Sequence, residues 1–495
     1  MATNILSIGQ SALTAAQVGI STTGHNIANA STPGYNRQVV VQGAALAQNF
    51  GYGFLGQGTE VSSVQRIYNE YLGAQVQSAQ TSKSGLDSYY AQIQQIDNML
   101  ADPAAGLSPA IQDFFSSIQG VATNPSSLPA RQTALSSSEA LAARFQGMAS
   151  RLDETARGIN SEVVSSVSVI NTYADQIATL NDAISKAQRA TGQEPNDLLD
   201  QRDQLVTDLN KEIKATVVKQ GDGGYNVFIG NGQPLVVGTK TSPLIATASP
   251  TDPEKVEVAY KASNGDTVIV GESGFVGGKL GGLIQFRAES LTAAQNALGR
   301  VAIGLASTFN AQSQAGFDLN GAAGGAYFTV GAPVVGANGT NTGSGTLTAT
   351  IGNVNALTTS DYQLQYDGSN YTLTRLSDNS TTTFASFPQT VDGVTLSLSG
   401  TPAAGDNFRI RPTVAGASGF SVAITDPAKI AAAGTAGAIG DNTNALALAA
   451  LQTANTLANG TATYLGAYGQ MVSAVGNKTR ELEVTSNAAG NLLDQ

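Results

Sequence analysis

The stretch MATNILSIGQSALTAAQVGISTTGHNIANASTPGY, residues 1–35, decides the architecture. Leu6, Gly9, Leu13, Ala16, Ile20, Thr23, Ile27 and Ala30 recur at alternating gaps of three and four, the spacing of a heptad seam on one helix. Its members are small, Gly and Ala among them, so a second helix can approach closely; Val18 lies off the seam. Thr32-Pro33-Gly34 stops the helix, because Pro33 disfavours helical geometry at Thr32 and Gly34 readily takes positive φ. One helix with this little apolar mass does not fold alone. The seam calls for a partner, and another chain can supply it.

Outward from that helix, four more long helical patterns follow. One runs over about 61–100, with Leu86, Tyr89, Ile93, Ile96 and Leu100 in register before Asp102-Pro103. The longest covers about 130–190, and roughly sixty helical residues at 1.5 Å each span about 90 Å, a rod rather than a globule. The others lie near 284–315 (Leu291, Leu298, Val301, Leu305) and 444–493 (Tyr468, Met471, Val475, Leu482). Seams so far apart in sequence zip most economically into one antiparallel bundle whose two halves enclose everything between.

Two regions read as β structure. Residues 214–275 carry hairpin signals at Gly223-Gly224 and Asn231-Gly232, and YQLQYDGSNYTLTRL sets Asp367-Gly368 between two alternating strands. The expectation is an α+β multidomain chain: a discontinuous antiparallel helical bundle with an inserted β-rich domain. Its parts are an N-terminal segment 1–60, a helical domain over 61–329 and 416–495 that includes the hairpin region 214–275, and an outward β-rich insertion over 330–415.

Composition narrows the function. Of 495 residues only 12% are charged, against roughly 25% in ordinary soluble domains, and Ala, Ser, Thr, Asn, Gln and Gly fill the gap. Such a surface packs against other subunits with few desolvated ions. A net charge of −11 with no basic run argues against nucleic acid as a partner. Zero Cys removes disulfides and thiolate chemistry, and no apolar run reaches membrane-spanning length. The N-terminus lacks the basic start and continuous apolar core of a cleaved secretory signal.

No catalytic constellation emerges. His25 is the one histidine and reads as a structural hydrogen-bonding residue inside the terminal helix. GYGFLG (51–56) matches G-x-G-x-x-G formally, but Gln57-Gly58-Thr59 follows where a helix would have to open. Asp197, Asp200 and Asp203 share a helical face; a metal site is the sharper reading, and a salt-bridge network completed by Arg202 and Lys211 the better one. Asp318-Leu319-Asn320-Gly321 begins like a calcium loop, yet the twelfth position is Thr329 rather than Glu, so it reads as a turn. The expectation is no enzyme, no metal and no cofactor.

NIANASTPGYNRQ (26–38) resembles the N-terminal signature of flagellar axial proteins, with Asn26, Ile27, Ala28, Asn29, Thr32, Pro33, Gly34 and Tyr35 as its core. The longer match SALTAAQVGISTTGHNIANASTPGYNRQ, with GTEVSSVQRIYNEYL (58–72), DLLDQRDQLV (197–206), GGKLGGLIQFR (277–287), LGRVAIGLASTFNAQSQAGFDLNG (298–321), DPAKIAAA (426–433) and GDNTNALALAALQ (440–452), is most similar to the hook-associated protein 1 family. Only about 330–415 lacks a firm match.

The resemblance implies a flagellin-like bundle in a structural adaptor at the hook–filament junction, needed for filament assembly. It also implies contacts with hook protein and the next hook-associated protein, self-association in a ring, type III export without signal cleavage, and an extracellular place on the flagellum. Leu6, Gly9, Leu13, Ala16, Ile20, Thr23 and Ile27 are then the assembly seam. Alternatives are a hook or rod protein, a secreted binder using the β domain, or an exported hydrolase carried at 330–415. Family members carry a C-terminal apolar helix that pairs with the N-terminal one. With the sequence stopping at NLLDQ (491–495), the expectation is that the seam stays uncovered and its helix poorly ordered in the isolated chain.

Overall fold

The computed structural model describes residues 2–49, 51–102, 106–221, 223–230, 232–262 and 264–494. Pro103 and Asn231, two of the turn signals, lie outside them. Helix α1 (Ala2–Ala28) leads into an antiparallel hairpin of strands Gln38–Ala44 and Thr59–Arg66, paired from Gln38 opposite Arg66 to Ala44 opposite Thr59, with a bulge where Val41 faces Ser63 and Gln42 faces Val61. A helix from 61 was expected there. Instead TEVSSVQR alternates half-buried and exposed positions as a strand does, with β-branched Val61 and Val64 inward. Helix α2 (Glu70–Leu100) opens only at Asn69, whose side chain accepts the N–H groups of Tyr71 and Leu72. GYGFLG lies in the connection, where Phe54–Leu55 pairs with Gln48–Asn49.

Then come α3 (Leu107–Thr123), α4 (Leu128–Thr191) and α5 (Asn196–Glu212). The 64 residues of α4 span roughly 96 Å. Ser127 caps its start with Pro129 in the first turn, and Gly192, left-handed at φ 66°, ends it. Helix α3 was missed in the sequence, although Leu107, Ile111, Phe114, Phe115, Ile118 and Val121 bury one face of it. The run expected at 284–315 starts earlier, as α6 (Gly278–Gln285), a π turn over Phe286–Leu291, and α7 (Thr292–Gln314). The last expected helix is two, α8 (Thr443–Ala450) and α9 (Tyr464–Asp494), because Ala458 and Asn459 take positive φ between them.

Side-chain pairs give the helix directions. Tyr468 donates to the Leu100 carbonyl (2.9 Å) while Ser486 reaches Asp87, so α2 and α9 are antiparallel. Asn181 with Arg202 and Ser166 with Glu212 make α4 and α5 antiparallel. On its other side α2 runs the same way as α6, and their backbones nearly touch: a Cβ on Gly282 would lie 2.2 Å from the Gly85 carbonyl oxygen. The bundle core gathers the seams together, with Phe114, Phe309, Tyr327 and Phe328 ring to ring at its centre.

The strands over 215–269 lie along α4, where Asn171 bonds both backbone groups of Leu244 and Asn181 those of Tyr225. Residues 334–411 hold a second core of Leu347, Tyr362, Leu364, Leu373, Leu396, Phe408 and Ile410, joined by Ile303 of α7. Its larger sheet orders the strands Val334–Ala337, Asn407–Arg411, Tyr362–Tyr366, Tyr371–Arg375 and Thr381–Phe384, and Asp367-Gly368 makes the turn the sequence indicates. Ionic and polar ties hold this body to the rest: Arg411 to Asp252 of the 215–269 strands (3.0 Å), and Asn296 of α7 to Asp361 (2.8 Å). Asp318 caps a turn by accepting the N–H groups of Asn320 and Ala322.

Candidate assembly site

The two faces of α1 differ sharply. Leu6, Leu13, Ile20 and Ile27 are 72–75% exposed, and Gly9, Ala16 and Thr23 are exposed with them, so the whole expected seam points to solvent. The opposite face packs on the hairpin strands, with Ala15 buried and Ile8, Ser11, Val18 and Thr22 half-buried. Ser11 Oγ accepts the Thr59 N–H (3.3 Å). Val18, which the sequence placed merely off the seam, belongs to this docking face.

Behind α1 the signature folds inward. Asn26 Nδ2 donates to the Gln38 carbonyl (2.9 Å), while its Oδ1 accepts both the Gln38 N–H (2.9 Å) and the Tyr35 hydroxyl (2.7 Å). Asn29 turns back to the His25 carbonyl, and Thr32 donates to Asn29. Gly34 sits at φ 77° with a Cβ position 2.7 Å from Gln204, so both backbone and space demand glycine. Ile27, Ala28, Thr32 and Pro33 stay exposed.

What receives this loop is the aspartate face of α5. Asn36 donates its backbone N–H and its amide to Asp200, both at 2.8 Å. Gln38 Nε2 donates to Asp197 (2.6 Å), which His25 Nε2 also faces at 3.2 Å. Arg66, from the second hairpin strand, bridges Asp200 (2.9 Å) and Asp203 (2.6 Å). Tyr225 completes Asp203 with a hydroxyl bond of 2.8 Å.

The expected network is real, but its cation is Arg66. Arg202 turns the other way, over the Tyr225 ring at 3.4 Å and onto Asn181 and the Gly223 carbonyl, and Lys211 pairs with Asp208. Burial works against the charge of Arg66, and the two carboxylates overcome it and raise its pKa. Burial, then Asp197 and Asp200, pushes the Tyr35 hydroxyl up, keeping it the donor that Asn26 needs. Among the described residues no group of acids and histidine is arranged to hold a metal ion.

Sequence reasoning passed over a second exposed feature. Leu46, Tyr52 and Phe54, at the far end of the hairpin, are 76–91% exposed. Two of its rings, Tyr52 and Phe54, belong to GYGFLG, whose glycine spacing draws attention away from them.

Comparison with known proteins fits this arrangement. The chain is 37% identical over 497 residues to flagellar hook-associated protein 1 of Escherichia coli (strain K12), covering 99% of this chain and 91% of that one. It belongs to the flagellar hook-associated protein 1 family. The Salmonella typhimurium member is 36% identical over 504 residues with the same coverage. The structure of the flagellar hook junction protein FlgK from Burkholderia pseudomallei superposes with a TM-score of 0.81 at 32% identity, over 85% of this chain and 98% of that one. Residues 93–328 match the model of the hook-associated protein FlgK helical domain, and residues 6–36 that of the flagella basal body rod protein. Residues 336–412 match the D2-like domain of hook-associated protein 1, so the family likeness extends through the stretch where motif reading found none.

Proposed function

We propose that this chain is a structural subunit of the bacterial flagellum, the adaptor at the hook–filament junction, and that filament assembly needs it. One observation carries the reading: likeness to hook-associated protein 1 runs end to end, through a helix whose apolar seam is left facing outward. Hook subunits on one side and the next hook-associated protein on the other are the partners, and copies of the chain close into a ring.

Residues 1–60 serve as the axial assembly segment, which the strand Thr59–Arg66 carries on to residue 66, with Leu6, Gly9, Leu13, Ala16, Ile20, Thr23 and Ile27 as its contact seam. Residues 61–329 and 416–495 form the helical domain, and 330–415 an outer β-rich insertion. Burying the seam contributes about 25 cal/mol per Å² before ordering costs are subtracted, so many small contacts repeated around a ring suffice. The role is non-catalytic, and export follows the flagellar type III route with the N-terminus retained. Electron microscopy of a strain lacking the protein tests this: hooks without filaments are expected, and normal filaments overturn it.

A further inference from the structure

The second body stands on the rest of the molecule at two footings that differ in kind. At α7 the entering and leaving chain lie side by side. A Cβ on Gly331 would sit 2.1 Å from the Ala415 carbonyl oxygen, and one on Gly299 1.8 Å from that of Thr413. Ile303 enters the second core there, and Asn296 bonds both Asp361 and Thr413. Nearby, Asn355 accepts the N–H groups of Asn459 and Gly460. This footing is closely packed and covalently tied.

The other footing is the turn between strands Leu244–Ser249 and Asp252–Lys261. There Gly339 donates to the Pro250 carbonyl (3.0 Å) and Arg411 pairs with Asp252 (3.0 Å). Between the footings lies a cavity of about 830 Å³. Arg287, Arg409 and Arg411 line it, and the buried Nε of each has no acceptor among the described residues. A contact built to stay shut satisfies such donors, whereas a polar space of this size admits water to them.

We propose that the second body is hinged at α7 and caught at Asp252, with Arg411–Asp252 as a releasable catch. The charges around the cavity are sorted in a way that permits opening. Arg287 and Lys255 pair with Glu257 and Glu272, all four outside the second body. Arg409 pairs with Asp361 inside it, and Arg411 Nε lies 3.8 Å from that same carboxylate. Among the described ion pairs only Arg411–Asp252 crosses from one body to the other. Release therefore leaves Arg411 beside Asp361 and strands no buried charge, while a crossing pair without such a fallback would weld the bodies together. The side chains of the catch are 20% and 15% exposed, so dissolved salt reaches it. A use for the hinge, letting the outer body give way while the bundle keeps its packing, rests on the adaptor reading; the hinge itself does not.

Two spin labels test it in the isolated full chain, which has no cysteine of its own. Exposed Ser165 on α4 and Thr382 in the strand Thr381–Phe384 are changed to Cys and labelled, and their distance distribution is measured by pulsed electron resonance. In this labelled parent a narrow distribution at low salt should widen by roughly twofold at about 1 M salt, where the screening length falls to about 3 Å. Asp252→Asn should be wide already at low salt and respond to no further salt, with circular dichroism unchanged. Asp378→Asn, which breaks an ion pair inside the second body, should stay as narrow as the parent. Equal widths in Asp252→Asn and the parent at low salt overturn the proposal, and so does a widened Asp378→Asn. If Asp252→Asn fails to fold, the parent decides: a width that stays constant from low to high salt overturns the catch. Normal filaments in a strain lacking the protein would remove the adaptor reading and leave these distances untouched.

Discussion

Asn26 satisfies three groups at once: both backbone groups of Gln38 and the Tyr35 hydroxyl. No other side chain of its size both donates and accepts in this way except aspartic acid in its protonated form. Asn26→Ala therefore strands the backbone of Gln38, which is 9% exposed. We expect a loss of about 1–3 kcal/mol in docking of the loop, read as faster hydrogen exchange at Gln38–Ala44 with the bundle unaffected. Gly34 gives a second case. Gly34→Val meets Gln204 and forces a β-branched residue to positive φ, so we expect a larger local loss than for Asn26→Ala in the same exchange measurement. These residues were legible as a signature through their resemblance to the flagellar axial proteins. Their acceptors were not, since nothing local links Asn36 to Asp200.

Among elements, α1 carries the sharpest contrast. Leu13 and Ile20, one heptad apart, are each 74% exposed. Replacing both by Asp should change the stability of the isolated chain by less than about 0.5 kcal/mol, as for ordinary surface substitutions. The same change should abolish filament growth, because a buried charge then enters each subunit contact. Motility assays with purified-protein melting as the control separate the two effects, and a fully motile double mutant would remove the seam from the assembly surface. The place of Val18 off the seam predicts that Val18→Asp harms filament growth much less than the double change. Its half-buried place against the hairpin adds a separate effect: Val18→Asp should loosen α1 in the isolated chain, seen as faster exchange across residues 8–22. Helical periodicity told which residues share a face, but not which of two faces meets the chain itself.

At the scale of the whole molecule, the second core joins the rest of the chain through several polar ties and through Ile303 of α7. Its ends meet, since Gly331 lies against Ala415 and Phe328–Thr329 pairs with Ser421–Val422. Excising 330–415 behind a short linker should leave helical circular dichroism near its full value for the remaining chain. It should also lower stability by about 2–3 kcal/mol, the cost of exposing Ile303, which packs into that core. Collapse of the helical signal would show the β-rich part to be integral to the bundle.

The sequence by itself determined the periods: a terminal seam, a helix of rod length over about 130–190, and a hairpin turning at Asp367-Gly368. Those are local properties, set by which side chains fall on one face and by what Pro and Gly permit in the backbone. It misjudged Thr59–Arg66 and the break between α8 and α9, where tertiary contacts override a weak helical pattern. Only the tertiary structure decided that Arg66, not Arg202, answers the aspartates of α5, and that the signature faces inward while the seam faces out. The physical reason is that pairing across well over a hundred residues depends on how rigid elements stack, and charge complementarity alone leaves several partners equally open.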